Sequence, residues 1–147
     1  MNIYNHQNGD YLISTDKSLL DFVVIHQFLS QSYWSPNIPM EIVKRAAENS
    51  IAFGVYHLGK QVGYARVISD CATFAYLADV FILEEYRGKG LSKWLVECIM
   101  QTPELQGLRR WSLATRDAHG LYAQFGFEPL NKPESFMQIA RPNIYME

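Results

Sequence analysis

Hydrophobic residues change their spacing several times along the chain, and each spacing predicts one kind of element. Between residues 20 and 29, and again between 91 and 99, apolar side chains recur every three or four positions, which predicts helices with one buried face. Shorter β-rich runs bounded by turn residues predict strands. The predicted strands cover residues 11–14, 51–57, 61–68, 73–83, 111–114 and 136–140, with a further strand beginning at Phe127. Residues 40–49 and 119–124 are predicted to form two more helices.

The order of these elements, β-α-α-β-β-β-α-β-α-β-β, predicts an α/β (α+β) sandwich. We expect one mixed, mostly antiparallel central sheet with helices on both of its faces. A chain of 147 residues is about one domain long, so residues 1–147 are interpreted as a single domain. The same order fits neither a TIM barrel nor an all-β fold.

Composition and charge exclude only a few function classes. Hydrophobic residues make up 48% of the chain and charged residues 19%, as in ordinary globular proteins. The net charge of −2 gives no reason to expect a nucleic-acid or membrane partner. The N-terminus has no basic region followed by an apolar run, and no apolar run approaches the ~20 residues of a membrane span. We therefore expect a cytoplasmic protein.

The cysteines and histidines predict neither a disulfide nor a metal site. Cys71 and Cys98 lie far apart in the sequence and are interpreted as reduced thiols. The four histidines are scattered, without the paired spacing of metal ligands, so no metal is expected.

The segment from Val80 to Ser92 contains the most informative pattern. A predicted strand runs into the turn Arg87-Gly88-Lys89-Gly90, and this turn opens a predicted helix. The first N–H groups of a helix have no partner within it and bind phosphate well. Neither a Walker P-loop nor the dinucleotide pattern G-x-G-x-x-G is present, since Lys93 occupies the last glycine position of the latter. Taken alone, the turn is either a phosphate site or a helix entry that binds nothing.

Two motifs together resemble those of the GNAT (N-acetyltransferase) superfamily. Arg87-x-x-Gly90-x-Ser92 is similar to motif A of that family, [RQ]-x-x-G-x-[GA], with serine in place of the usual last Gly or Ala. Residues 118–127, AHGLYAQFGF, resemble motif B, A-x-x-L-Y-x-x-x-G-F. The two motifs come in the family's order, each at a predicted junction between a strand and a helix.

The resemblance implies acetyl-CoA as the cosubstrate, bound where two neighbouring strands splay apart. The pantetheine arm would pair with the backbone of Val80 and Ile82, by strand addition. The pyrophosphate would bind the loop, with positive charge from Arg87. The implied loop residues are Arg87, Gly88, Lys89, Gly90, Leu91 and Ser92.

The resemblance also implies a catalytic role for Tyr122, as the general acid that protonates the departing CoA thiolate. The alternative is an aromatic ring that only packs on its helix. An attacking amine must lose a proton, and Asp79 and His119 are the leading candidates for the general base. Asp117 and Tyr76 are further candidates, since bases differ among members of the family.

We therefore predict an N-acetyltransferase that moves an acetyl group from acetyl-CoA to a primary amine by direct attack in a ternary complex. The alternative is a non-catalytic acyl-CoA-binding module. The acceptor is expected to be a small-molecule or peptide amine, and a homodimer is compatible with the family. The acceptor would lie near the first two helices and their loop, where the candidate lining residues are Tyr33, Trp34, Asn37, Ile38, Tyr64 and Arg66. Tyr33 and Trp34 could instead pack the joint between the two helices.

Overall fold

A single mixed sheet forms the centre of the protein, whose computed structural model describes residues 1–146. Its strands, which lie side by side in chain order, are β1 Asn5–Asn8, β2 Tyr11–Ser14, β3 Ile51–His57, β4 Lys60–Ser69, β5 Phe74–Ile82 and β6 Arg110–Ser112. Strands β1 to β5 pair antiparallel with their neighbours, whereas β5 and β6 are parallel. The expected mixed, mostly antiparallel sheet is confirmed.

Four α-helices connect and cover the strands within the described residues: α1 Phe22–Leu29, α2 Met40–Glu48, α3 Leu91–Met100 and α4 His119–Ala123. The periodic pattern predicted that α1 starts at residue 20, but it starts two residues later. The carboxylate of Asp21 accepts hydrogen bonds from the N–H groups of Val23 and Val24 and so defines the first turn.

The two faces of the sheet carry separate hydrophobic cores, because side chains alternate between faces along each strand. On one face, Phe53 and Val55 of β3 pack with Leu95 of α3. On the other face, Tyr64 of β4 and Phe81 of β5 pack with α1 and α2. Helices therefore cover both faces, as the element order predicts.

The sequence pattern missed one strand at the start of the chain. Strand β1 has the polar sequence NHQN and pairs only with β2, across a tight turn at Gly9 and Asp10. Most of its side chains are exposed, so this edge strand carries no alternation of apolar and polar residues. Its backbone pairing alone makes it a strand.

The prediction of strands at Phe127 and over residues 136–140 is wrong, because neither strand forms in the structure. The N–H of Phe127 donates to the carbonyl oxygen of Tyr122, which closes the end of α4. This N–H is therefore not available for pairing with a strand. Gly126 permits this closure with a φ of +93°. Residues 128–144 are exposed along their whole length, so the β-prone residues 136–140 have no buried face to stabilise a strand.

Tyr56 of β3 gives a test of the packing around a buried polar group. Its ring is buried, and its hydroxyl has no hydrogen-bond partner among residues 1–146. We expect Tyr56→Phe to raise the free energy of unfolding by about 1 kcal/mol, because it removes an unsatisfied polar group. Urea denaturation would measure the change, with Tyr11→Phe as the control at a half-buried tyrosine. A loss of stability in Tyr56→Phe would mean that the hydroxyl is satisfied in solution.

Candidate active site

A groove of about 1290 Å³ opens where β5 and β6 separate. The parallel pairing joins Phe74 to Arg110 and Tyr76 to Ser112, and β6 ends there, while β5 continues to Ile82. Residues 113–114 were predicted to belong to β6, but they leave the sheet and line the groove. Strand β5 is held along its other edge by β4, so its free edge faces the groove.

A bulge in β5 lies beside this opening. Tyr64 of β4 pairs with Phe81 of β5, but Arg66 pairs with Ala78. Asp79 and Val80 therefore both face the single β4 residue that lies between Tyr64 and Arg66. Asp79 has a φ of +57°, a left-handed conformation that aspartate tolerates better than most residues. Such a bulge bends its strand and redirects the side chain at that point. It turns the Asp79 side chain into the groove lining.

The Asp79 carboxylate holds together two other elements of the site. One oxygen accepts a hydrogen bond of 2.8 Å from Nε1–H of Trp34, which lies in the loop between α1 and α2. The other forms an ion pair of 2.6 Å with Nε of Arg66 on β4. The side chains of Arg66 and Asp79 are only 18% and 10% exposed. The candidate base Asp79 thus already receives a hydrogen bond on each oxygen.

The backbone of Val80 and Ile82 faces the open side of β5. The N–H of Leu83 donates to the carbonyl oxygen of Val62, on the β4 side. Because backbone groups alternate sides along a strand, those of Ile82 and Val80 point away from β4, towards the groove. Nε–H of Arg87 donates to the carbonyl oxygen of Ile82 at 2.9 Å, which fixes the Arg87 side chain beside this edge.

The glycine-containing turn lies at the end of β5 and begins α3. Gly88 and Gly90 have φ values of +78° and +79°, and a Cβ at either would meet no atom within 4 Å. Within residues 1–146, none of the backbone N–H groups from Gly88 to Ser92 donates to an acceptor. Arg87 and Ser92 line the groove, whereas the Leu91 side chain is buried in the core. The turn therefore presents consecutive free donors at an open surface.

Tyr122 reaches the groove from the core. Its ring is 7% exposed and packs edge-on against Phe127, with the ring centres 6.0 Å apart. Its hydroxyl has no hydrogen-bond partner among the described residues, yet it is not sealed from solvent. Burial, followed by the influence of Tyr33 and Asp117, raises the pKa of Tyr122 to about 12. The hydroxyl therefore stays protonated at neutral pH and can act as a donor.

The other candidate bases are not all in one place. Asp117 and Tyr76 line the groove together with Asp79. His119 is exposed as the first residue of α4 and is not part of the groove lining. Asp117 is exposed and has no hydrogen bond or ion pair with residues 1–146. Three of the four candidate bases thus line the same groove as Tyr122, and His119 does not.

The loop between α1 and α2 forms the opposite wall, where Tyr33, Trp34 and Ile38 line the groove, and Arg66 of β4 lines it as well. Of the other residues named for this wall, Asn37 is not in the lining and Tyr64 is buried beneath it.

Sequence reasoning missed Arg116, which also lines the groove. Its backbone N–H donates to the Tyr33 hydroxyl at 3.1 Å, and its guanidinium lies 3.9 Å from the centre of the Tyr33 ring. The contact joins residues 83 positions apart in the chain, so no local pattern could have revealed it.

Comparison with known proteins agrees with this geometry. A family model described as an acetyltransferase (GNAT) domain matches residues 48–129, which include the groove edge, the glycine-containing turn and Tyr122. The chain belongs to the GNAT acetyltransferase family. A candidate acetyltransferase from Gibberella zeae is 35% identical over 150 residues, covering 84% of each chain.

Solved structures of GNAT proteins share this fold. A candidate GNAT acetyltransferase from Xanthomonas campestris pv. campestris is 54% identical, with a TM-score of 0.91, and covers 93% of this chain and 97% of its own. A candidate acetyltransferase from Clostridium acetobutylicum, solved with acetyl-CoA, has a TM-score of 0.61 at 12% identity, and the match covers 95% of each chain. At that identity the likeness concerns the fold alone.

The described part of the chain contains neither a metal-binding cluster nor a membrane-spanning helix. Within residues 1–146, no cluster of three or more His, Cys, Asp or Glu side chains could hold a metal ion. Over the same residues, no helix is long and apolar enough to cross a membrane.

The ion pair between Asp79 and Arg66 can be tested by its contribution to the stability of the fold. We expect Asp79→Ala to lower the free energy of unfolding by about 2–3 kcal/mol, because it leaves Arg66 largely buried without its partner. Asp79→Asn should cost less, since it can still accept the bond from Trp34 and tolerate the left-handed backbone. Chemical denaturation would measure both variants, with Asp117→Ala as an unpaired control. A loss below about 1 kcal/mol in Asp79→Ala would show that the pair is not needed for the fold.

Proposed function

We propose that the protein is an N-acetyltransferase that passes the acetyl group of acetyl-CoA directly to a primary amine. One observation carries the proposal: the groove that contains the free edge of β5 and Tyr122 is also lined by Arg87 and Ser92, which flank the free N–H groups of the glycine-containing turn. The free edge and the N–H groups suit the pantetheine and pyrophosphate of CoA, and the Tyr122 hydroxyl suits a departing thiolate. A relative of the same fold, from Clostridium acetobutylicum, was solved with acetyl-CoA.

The residues present fit acetyl-CoA as the donor substrate. The backbone of Val80 and Ile82 can pair with the amide groups of the pantetheine arm, as an added strand would. The N–H groups at the start of α3 can bind the pyrophosphate, with Arg87 contributing charge close by. Gly88 and Gly90 let an anion approach the backbone, because no Cβ covers these N–H groups.

In the proposed reaction, the amine attacks the thioester carbonyl carbon, a C–N bond forms and the C–S bond breaks. Tyr122 gives its hydroxyl proton to the departing sulfur, so that CoA leaves as a thiol. The raised pKa of Tyr122 ensures that this proton is present at neutral pH. Acetyl-CoA itself supplies the activated acyl group.

The attacking amine must also lose a proton. Asp117 is the better placed of the groove carboxylates, because it is unpaired, whereas each oxygen of Asp79 already accepts a hydrogen bond. We assign Asp79 the role of positioning Trp34 and Arg66. Asp117 then accepts the ammonium proton, directly or through water.

Direct transfer fits the environments of the cysteines better than a route through an acyl-cysteine. Cys98 is buried, and burial raises the pKa of its thiol to about 11, which disfavours the thiolate. Cys71 is exposed but does not line the groove. The remaining alternative is a non-catalytic acyl-CoA-binding module, and the free Tyr122 hydroxyl favours the enzyme.

Acetyl-CoA binding is tested at the start of α3. Calorimetric titration should show that the wild-type protein binds acetyl-CoA but neither ATP nor NAD. Gly90→Asp should weaken acetyl-CoA binding by at least about 10-fold, because its carboxylate would lie beside the phosphates. Gly107→Asp is the matched control, since Gly107 has a φ of +73° in an exposed turn outside the groove. Equal affinity in the two variants would remove the phosphate role of the loop.

The role of Tyr122 is tested by its hydroxyl alone. Tyr122→Phe should lower kcat by about 10²- to 10⁴-fold while leaving the Kd of acetyl-CoA unchanged. The wild-type kcat should not fall between about pH 8 and 10.5, because Tyr122 keeps its proton until the pH approaches its raised pKa of about 12. Release of the CoA thiol in the presence of a reactive amine would measure kcat of the variant and the pH dependence of the wild-type kcat, with Tyr11→Phe as the control. A normal kcat in Tyr122→Phe would refute the general-acid assignment, and acetyl-CoA binding without turnover of any amine would favour the binding module.

A further inference from the structure

The arginine side chains of the groove differ in what they bind. We propose that the acceptor amine carries an anionic group, a carboxylate or a phosphate, and that Arg116 binds it. The proposal rests on the N-acetyltransferase function and names the class of its second substrate.

Arg116 is held in place by contacts that leave its charge available. Its guanidinium carbon lies over the Tyr33 ring, 3.9 Å from the ring centre, and its backbone N–H donates to the Tyr33 hydroxyl. None of its guanidinium nitrogens makes a hydrogen bond or ion pair with residues 1–146. A stacked guanidinium loses little further side-chain freedom when it binds a planar or tetrahedral anion. Arg116 is therefore a preorganised anion donor at an exposed wall of the groove.

Three other arginines, Arg66, Arg87 and Arg141, also line the groove, and the first two already have assignments. Arg66 is neutralised by Asp79 at 2.6 Å. Arg87 is bound to the carbonyl oxygen of Ile82, at the end of β5 that leads to the phosphate loop. Arg116 instead belongs to the segment between β6 and α4 and contacts the loop between α1 and α2. Its charge is thus on the wall expected for the acceptor, against Tyr33.

The neighbouring charges suit a substrate with both an amine and an anion. Asp117 follows Arg116 directly and also lines the groove. Tyr33, against which Arg116 is stacked, is close enough to Tyr122 to contribute to its raised pKa, as is Asp117. An acceptor whose anion binds Arg116 would therefore place its amine near Asp117 and the reacting centre. A simple alkylamine would leave Arg116 without a partner.

Matched amine pairs test this inference with the full-length protein. We would compare kcat/KM for O-phosphoethanolamine with ethanolamine, and for 4-aminobutyrate with butylamine. The wild-type protein should prefer the anionic member of at least one pair by about 10- to 100-fold, the expected effect of a hydrogen bond to a charged group. Preference within the first pair identifies a phosphate, and preference within the second identifies a carboxylate.

Variants at position 116 assign the preference to this side chain. Arg116→Gln should abolish it by raising KM for the anionic amine, and Arg116→Lys should restore part of it, since lysine keeps the charge without the planar fork. Arg109→Gln is the control, because Arg109 is exposed outside the groove lining. The Kd of acetyl-CoA should be the same in all four proteins.

Each contrary result has its own meaning. Equal use of anionic and neutral amines, or a preference that survives Arg116→Gln, would overturn the inference while the acetyltransferase function stands. Weaker acetyl-CoA binding in Arg116→Gln would also overturn it, by assigning the residue to the donor substrate. Acetyl-CoA binding with no amine acetylated by the wild-type protein would overturn the proposed function, and the inference with it.

Discussion

The candidate site depends on one constraint, the early end of the pairing between β5 and β6. Only three residue pairs join these strands, and beyond them β5 has a free edge. Unpaired backbone groups are costly where they are buried, but here they face an open groove. Strand β5 tolerates the separation because β4 pairs with it from Ser69 and Ala75 to Gly63 and Ile82. The opening thus creates a binding edge without dividing the sheet.

The bulge at Asp79 connects this opening to the far wall of the groove. A regular strand would place the Asp79 side chain according to the pleat, whereas the left-handed residue redirects it. Its carboxylate then binds Trp34 from one helical connection and Arg66 from the adjacent strand. The strain of the backbone and the burial of an ion pair are both offset by joining the loop between α1 and α2 to the paired strands β4 and β5. The shape of the acceptor wall therefore follows from the sheet.

Tyr122 combines a place in the core with the hydroxyl that we propose as the general acid. Its ring belongs to the core that α3 forms with the sheet, and Phe127 packs against its edge. The same burial that anchors the ring disfavours the phenolate, so the hydroxyl remains a donor across the physiological pH range. A fully exposed tyrosine would be less firmly placed and would lose its proton at lower pH. The loop at 88–92 contrasts with Tyr122, because its hydrogen-bond donors are backbone N–H groups at the surface. Gly88 and Gly90 keep these groups free of neighbouring side-chain atoms.

The sequence by itself determined the features that depend on local chemistry. Apolar periodicity located α1, α2, α3 and the strands β2 to β5, and the two motifs pointed to Arg87, Gly90 and Tyr122 because their spacing lies within single strand–turn–helix units. The sequence pattern did not predict the polar strand β1, and it wrongly predicted a strand over residues 136–140. In both segments, pairing with another strand determines whether a strand forms. Only the tertiary structure could bring Asp79 to Trp34 and Arg116 to Tyr33, which are 45 and 83 positions apart. Local patterns reflect backbone preference and burial, whereas these contacts arise from how the sheet and its loops fold back in space.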